Sequence, residues 1–293
     1  MTIDFPRRGC VRGAALSVGA ASLVRAGFTP TPAKAQGQMA AGTVVSFAKA
    51  GVNFHTYVSP AQAVNVTAHV IELGDQLLVV DSTFIPPTAM ELANVIASTG
   101  KPVHTAYVSH EHPDHWGGVS TLSDLNFVTL PEIREGLRDD ATTGGRTEPA
   151  SLLNGDDLAL GETEIGGVTV DFRAYDNAEA PKVIVAVLPE QKVAVVQDLV
   201  YNGVYFAPGV DRKNWIATLE SFREEEAFET LLVGHGMPTT RGDLDSAIGY
   251  LIRLDAAWVA ACTPDDVAAA MTDAYPSYDG AFLLSLAAEY WDK

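Results

Sequence analysis

Three histidines and two acidic residues lie within six consecutive positions, from His110 to His115. The chain has only 7 histidines in its 293 residues, so this grouping is unusually dense. The spacing is His110-x-His112-x-Asp114-His115, and it begins directly after the predicted strand VHTAYVS, residues 103–109. Because residues two apart in an extended segment point to the same side, His110 and His112 are expected to bind one cation. The fold must therefore hold a loop of metal-ligating side chains at the end of a strand.

The turn that follows this pair carries Asp114 and His115, which we predict to bind a second cation beside the first. Imidazole and carboxylate together suit Zn²⁺ and also accept iron or manganese. Further ligands must come from elsewhere in the chain. The candidates are acids or histidines at the ends of apolar strands: Asp81 in VVDST, Asp198 in VVQDLVY and His235 in LLVGHG. For Asp81, an ordinary turn cap stays open as the alternative.

Apolar strand segments alternate with helical segments along the chain. Residues 64–73 and 76–83 are predicted to be strands on either side of a Gly-Asp turn, and PPTAMELANVIAST has helical spacing. Three more strands are predicted between residues 167 and 197, and mostly helices from about Asp243 onward. The polar, glycine-rich segment 139–149 predicts a loop. This alternation indicates an α/β fold.

The first 35 residues have the features of an export signal rather than of a folded segment. Arg7 and Arg8 precede a mildly apolar stretch, and Ala33 and Ala35 form an A-x-A cleavage pattern. The segment resembles a bacterial twin-arginine signal, which predicts that residues 1–35 are removed and that a mature chain, 36–293, is periplasmic or secreted. An N-terminal helix with a basic start is the alternative.

The charge of the chain limits its partners. Residues 1–35 carry five basic residues against one acidic residue, so their removal takes the formal net charge from −18 to −22. Such a chain repels phosphate backbones, which argues against nucleic acid as a partner. No run of 18 uncharged apolar residues occurs, so no membrane span is expected. A small-molecule substrate is expected, and the sequence leaves the oligomeric state open.

The segments HEHPDHWGG, VVDST, QDLVYNG and VGHG resemble the metallo-β-lactamase-fold hydrolase superfamily over about residues 43–253. The resemblance implies a four-layer αβ/βα sandwich with two metals at one edge, between two sheets. It also implies that Asp81 orients a ligand from behind, and that Asp114 and Asp198 have catalytic roles. The implied metal ligands are His110 and His112 for the first metal, Asp114, His115 and His235 for the second, and Asp198 as a bridge.

One ligand differs from the usual pattern of that superfamily, which supplies a third histidine to the first metal. No histidine lies between His115 and His235. Counting back from Asp198 along the hairpin without a gap puts Glu179, in an EAP motif, at that position. The motif resembles the alkylsulfatase branch, in which such a glutamate binds metal. A solvated loop glutamate, or Asp176 in its place, stays open as an alternative.

Two metals that share a bridging hydroxide imply hydrolysis of an ester-type bond. The EAP motif favours a sulfate ester, with lactones and carboxylic esters as further candidates. The chain lacks the length for the extra domains of alkylsulfatases, so β-lactam or organophosphate hydrolysis, or metal binding without turnover, stays open. Zn²⁺ is the expected metal, and the carboxylate of Glu179 shifts the preference toward Mn²⁺ or Fe²⁺.

Three further residues are weaker candidates. His55 and His69 lie on predicted strands and are expected to pack or to form hydrogen bonds rather than bind metal. Tyr201 follows Asp198 by three positions. It is expected either to line the pocket, where it could donate to a developing oxyanion, or to pack in an ordinary loop.

Overall fold

The computed structural model of the protein describes residues 39–144, 152, 155–207, 212–288 and 291. The predicted export signal, residues 1–35, lies outside them. Within the described residues, twelve strands form two six-stranded sheets. None of the helices in this part of the chain is long and apolar enough to cross a bilayer.

The first sheet follows the order of the chain. Strands β1 to β4 pair antiparallel, whereas β4–β5 and β5–β6 are parallel pairs. Parallel neighbours need a crossover, which helix α1 (Pro86–Thr99) supplies between β4 and β5. The strands are β1 (Thr43–Lys49), β2 (Val52–Val58), β3 (Thr67–Leu73), β4 (Gln76–Val80), β5 (Val103–Tyr107) and β6 (Phe127–Val128).

The second sheet also follows the order of the chain. Its strands pair antiparallel except for the parallel pair β10–β11. The helix α4 (Arg212–Glu224) lies between these two strands in the sequence. The strands are β7 (Gly161–Ile165), β8 (Val168–Asp176), β9 (Lys182–Leu188), β10 (Val193–Asn202), β11 (Thr230–Gly236) and β12 (Thr239–Thr240).

The remaining helices flank these sheets. A single turn, α2 (Pro113–Trp116), follows β5, and α3 (Pro131–Gly144) follows β6. The expectation of a loop at residues 139–149 was therefore wrong for its first part, because α3 continues to Gly144. The predicted helical C-terminal segment is confirmed by α5 (Leu244–Ala260), α6 (Pro264–Ala274) and a 3₁₀ segment, Ala281–Ala288.

Strand β9 shows how the layers are built from the sequence. Its side chains alternate between two cores: Ile184 and Leu188 join the core shared with the first sheet, and Val185 packs on the opposite face with Trp215 and Leu219 of α4. Because both faces are covered, the strand is apolar at every position after Lys182. The same two-sided burial explains the four-layer αβ/βα sandwich, which confirms the predicted fold class.

Candidate metal centre

The histidine cluster lies in the connection between β5 and the single helical turn α2. Pro113 begins this turn, since its fixed φ suits the first helical position. The chain therefore changes direction between His112 and Asp114, as the sequence predicted. His110 and His115 are buried, and their rings lie 4.2 Å apart. The side chains of His112 and Asp114 remain 32% and 20% exposed, so they form the open side of the cluster.

Glu179 completes the first group of side chains. Its carboxylate is buried, with Oε1 lying 3.3 Å from Nδ1 of His112 and Oε2 lying 3.8 Å from Nε2 of His110. Asp176 instead pairs with Lys182 at 2.8 Å, and its side chain is 61% exposed. The structure thus brings Glu179, and not Asp176, to the two histidines.

Asp198 and His235, which lie in the neighbouring strands β10 and β11, bring a second group together. Nε2 of His235 lies 3.2 Å from Oδ2 of Asp114. Oδ1 of Asp198 lies 3.0 Å from Nε2 of His115, and Oδ2 of Asp198 lies 3.6 Å from Nε2 of His110. Asp198 therefore stands between the two groups, in the place expected for a bridging acid.

Asp81 holds the histidine loop from behind. Its Oδ1 accepts the backbone N–H of Ser109 at 2.7 Å, and its Oδ2 accepts the Ser109 hydroxyl at 2.8 Å and Nδ1 of His115 at 2.6 Å. The same hydroxyl lies 2.9 Å from Nδ1 of His110, from which it accepts. Both histidines are therefore held by Nδ1, and both present Nε2 to the site. Ser109 escaped prediction, although it directly precedes the histidine motif.

The unpaired polar atoms of the described residues test whether this group suits metal. Six buried side-chain nitrogen or oxygen atoms lack a hydrogen-bond partner. Burying such an atom without a partner is costly, so each needs an explanation. Tyr107 and Gln191 contribute two of them. The other four face one another in the cluster: His110 Nε2, His115 Nε2, Glu179 Oε2 and Asp198 Oδ1.

The donor set accounts for those four atoms. Imidazole nitrogens and carboxylate oxygens are what divalent zinc, manganese and iron bind. Among the described residues, three groups of such atoms lie within 4.8 Å of one another. In one of them, Asp81 with His110 and His115, the Asp81 carboxylate is already engaged by Ser109 and His115. The other two divide along the predicted lines, so the residues fit two divalent cations. These two groups are His110, His112, Glu179 and Asp198, and Asp114, His115 and His235.

The charges of the cluster point the same way. Burial raises the pKa of Glu179 well above its usual value, and the charge of Asp198 raises it further. Burial alone would lower the pKa of His235, but Asp198 and Asp114 raise it to about 10. Burial also tends to lower the pKa of His115, but the charges of Asp198 and Asp81 raise it well above its usual value. Without metal, protons thus offset the clustered carboxylates.

Tyr201 lines the site rather than packing in a loop. Its ring stacks on His235 with centroids 4.7 Å apart and an interplanar angle of 6°. Its hydroxyl donates to Oδ2 of Asp198 at 2.6 Å and lies 3.3 Å from Oε1 of Glu179. The expectation for His55 and His69 is also confirmed, because both engage in hydrogen bonds away from the cluster.

Comparisons with known proteins agree with the fold. A structure titled as a metallo-beta-lactamase from Pontibacter korlensis has 18% identity and a TM-score of 0.56, covering 72% of this chain and 99% of that one. DIM-1 metallo-beta-lactamase, in a structure exposed to ceftazidime, has 14% identity and a TM-score of 0.57, covering 73% and 98%. A search of curated proteins found no match.

These structural similarities establish the shared fold and leave the substrate open. The sequence comparison is more specific, because the family model described as the metallo-beta-lactamase superfamily matches residues 61–235, which include all seven candidate ligands. The chain belongs to the metallo-beta-lactamase superfamily.

Proposed function

We propose that this protein is an exported, dinuclear metal-dependent hydrolase that attacks an ester-type bond in a small molecule. The observation that carries the proposal is the convergence of four buried, unpartnered ligand atoms from three separate parts of the chain. Stability alone does not favour such an arrangement, because these atoms lose their hydration and meet one another only in ion-pair contacts of 3.0 and 3.8 Å, without a hydrogen bond of good geometry. A pair of bound cations would give all four a partner at once.

The ligands divide between the two cations as the superfamily resemblance implies. The first cation would be held by His110, His112 and Glu179, and the second by Asp114, His115 and His235. Asp198 contacts both groups and would be shared between the two cations. Zn²⁺ is the expected metal, with Mn²⁺ or Fe²⁺ favoured by the third carboxylate.

Two such cations would lower the pKa of a water toward neutrality, polarise the attacked group and stabilise the leaving oxygen. The protein side chains supply orientation and proton handling around that chemistry. Asp198 and Tyr201 fix one wall of the site through their hydrogen bond. Asp114 is the carboxylate nearest the open side, where it can hold the proton of the attacking water and pass it to the leaving group.

Export is the second part of the proposal, and it rests on Arg7, Arg8 and the A-x-A pattern at Ala33–Ala35. A twin-arginine route carries folded chains, so it would allow the metals to be loaded before the protein leaves the cytoplasm. The EAP motif supports a sulfate ester as the substrate, with lactones and carboxylic esters as the neighbouring candidates.

A substrate panel tests the proposed activity. Protein loaded with Zn²⁺ or Mn²⁺ is assayed against an alkyl sulfate, a lactone, a carboxylic ester, an organophosphate and a β-lactam. We expect turnover of at least one ester class, its loss on chelation and its return with metal. Asp198→Ala is the matched inactive control. Full metal loading without turnover of any compound would instead favour a metal-binding protein that is not an enzyme.

A further inference from the structure

A line of buried polar side chains leads away from the site, between the two sheets. Nε2 of Gln197 donates to Oδ2 of Asp81, and Oε1 of Gln197 lies 2.8 Å from Nε2 of His69. Nδ1 of His69 lies 3.0 Å from the hydroxyl of Thr56. All four side chains are fully buried. Neither Gln197 nor His69 belongs to the candidate ligands.

The direction of every hydrogen bond in this line follows from chemistry. The carboxylate of Asp81 accepts from Ser109 and His115, so it accepts from Gln197 as well, which fixes the amide with its NH₂ toward Asp81. The amide oxygen must then accept from His69, whose Nε2 carries the proton. Nδ1 of His69 accordingly accepts from Thr56. Burial lowers the pKa of His69 to about 4, which agrees with a neutral ring that donates once and accepts once.

The backbone of β10 explains why two successive side chains reach the space between the sheets. Along a regular strand, neighbouring side chains point to opposite faces. Gln197 instead has a φ of 45°, and the pairing of β10 with β11 shifts register on both sides of it. The irregularity lets Gln197 point toward the first sheet while Asp198 points into the metal cluster. Such local distortions are frequent beside functional sites.

The same line also reaches the strand that carries His235. The hydroxyl of Thr67 lies 3.2 Å from Nε2 of His69 and donates to the carbonyl of Val233 at 2.5 Å. Val233 precedes His235 by two residues in β11. His69 therefore lies where the first sheet contacts β10 and β11, the two strands of the second sheet that carry the candidate ligands Asp198 and His235.

We propose that Gln197 and His69 are positioning residues for the metal centre. Asp81 holds His115 directly and holds His110 through the Ser109 hydroxyl, so its orientation sets two imidazoles. Gln197 fixes that carboxylate from the opposite sheet, and His69 fixes the Gln197 amide in the only orientation that can donate to it. The inference rests on the proposed metal site and extends it by one further layer of residues.

Metal binding by the purified, metal-free protein tests this role without an activity assay. Zn²⁺ and Co²⁺ affinities are measured by competition with a chromophoric chelator, and the visible spectrum of bound Co²⁺ reports ligand geometry. The variants are Gln197→Met, which keeps the volume and removes the donor, and Gln197→Leu, which removes both the donor and the acceptor. His69→Leu removes both groups of the ring, whereas His69→Gln restores a donor amide.

We expect Gln197→Met, Gln197→Leu and His69→Leu to weaken metal binding by about tenfold or more, the lower end of the range for residues behind metal ligands. The Co²⁺ spectrum should change in the same three variants. His69→Gln should recover affinity and spectrum. Tyr57→Phe is the control, because it removes a hydrogen bond from a buried tyrosine to Glu91, outside this line of residues. It should leave metal binding unchanged even if the melting temperature falls.

The possible failures are distinguishable. If the wild-type protein binds two metals and the Gln197 and His69 variants bind them with the same affinity and spectrum, the positioning role is wrong and the proposed function stands. Loss of affinity in Tyr57→Phe as large as in Gln197→Met would also overturn it, because a general loss of stability would then explain both. If the wild-type protein binds no metal, the proposed function itself fails.

Discussion

Glu179 lies in the short connection between β8 and β9, and its Oε1 is 3.3 Å from Nδ1 of His112. The side chain is only 2% exposed, and it shares the site with Asp198, so its pKa is raised well above the usual value by burial and by that second charge. A carboxylate in this position is unfavourable unless a cation or a proton accompanies it. We therefore expect the proposed first metal to depend on Glu179, although the superfamily resemblance leads one to expect a histidine there.

Glu179→Ala should remove the first metal while the fold survives, because six ligand side chains remain. The loss in affinity should exceed the 10–100-fold that is typical for residues behind the ligands. Activity on the responsive substrate should fall by orders of magnitude. Metal content after dialysis, measured by elemental analysis, checks the prediction, and circular dichroism checks the fold.

Asp176→Ala is the matched control, since this exposed acid pairs only with Lys182 among the contacts seen. It should be nearly silent. Glu179→His should keep two metals and should favour zinc over manganese more strongly than the wild type. The assignment would fail if Glu179→Ala kept both metals while Asp176→Ala lost one.

Gly234→Ala should disturb the bridging acid, because a Cβ at this position would overlap Oδ1 of Asp198. Neither carboxylate nor strand can move freely in the buried site, so we expect a stability loss of about 1–3 kcal/mol and weaker binding of both metals. Gly249→Ala is the control. It lies in α5 with nothing within 4 Å of the added Cβ, and it should leave metal binding unchanged and stabilise the helix by about 0.5–1 kcal/mol.

Metal binding should release protons at pH 8. Burial alone would lower the pKa of His235, but Asp198 and Asp114 raise it to about 10. The pKa of His115 is also raised. Both imidazoles are thus protonated in the metal-free protein and must be deprotonated to bind metal, and the raised pKa of Glu179 adds to the release, so at least two protons should leave per chain. Affinity should therefore rise as the pH rises toward 10 and fall as it is lowered.

Calorimetric titration with Zn²⁺ in two buffers of different ionisation enthalpy measures this release. Equal apparent enthalpies in both buffers would contradict the protonated state of His115 and His235. His112 makes no such contribution at this pH, because burial and the neighbouring His110 lower its pKa to about 4.

Changing Arg7 and Arg8 together to lysine should leave the precursor in the cytoplasm, if residues 1–35 are a twin-arginine signal. Cell fractionation of a host with a working twin-arginine pathway checks this. The unchanged chain, expressed in parallel, is the control. Mature protein outside the inner membrane at the normal level would show that the N-terminal segment works differently.

The sequence predicted most of the buried, apolar strands. The β3–β4 hairpin, helix α1 and strands β8 to β11 are where residue patterning placed them. Strands β1, β7 and β12 were missed. All three lie at sheet edges, where β1 and the mostly polar β7 expose many side chains and β12 is only two residues long. The extension of α3 to Gly144 was missed because its last residues are poor helix formers.

The structure brings the seven candidate ligands close together, and the signals that led to them were the histidine motif after β5 and polar residues in or after strands. Their role as metal ligands stays a prediction. The sequence left open whether Glu179 or Asp176 faces the histidines. The conformation of the short turn between β8 and β9 decides which of the two side chains points into the site. Gln197 was beyond prediction for a related reason. A regular strand would send Gln197 and Asp198 to opposite faces, and only the left-handed backbone at Gln197 lets both serve the site.

Anomalous X-ray scattering at the metal edge, from crystals of the Zn²⁺-loaded protein, tests the central claim most directly. The account predicts two peaks in each chain. One should lie among His110, His112 and Glu179 and the other among Asp114, His115 and His235, with Asp198 between them. A single peak in crystals saturated with Zn²⁺ would contradict the account. Two peaks with the Glu179 side chain turned away from both would also contradict it.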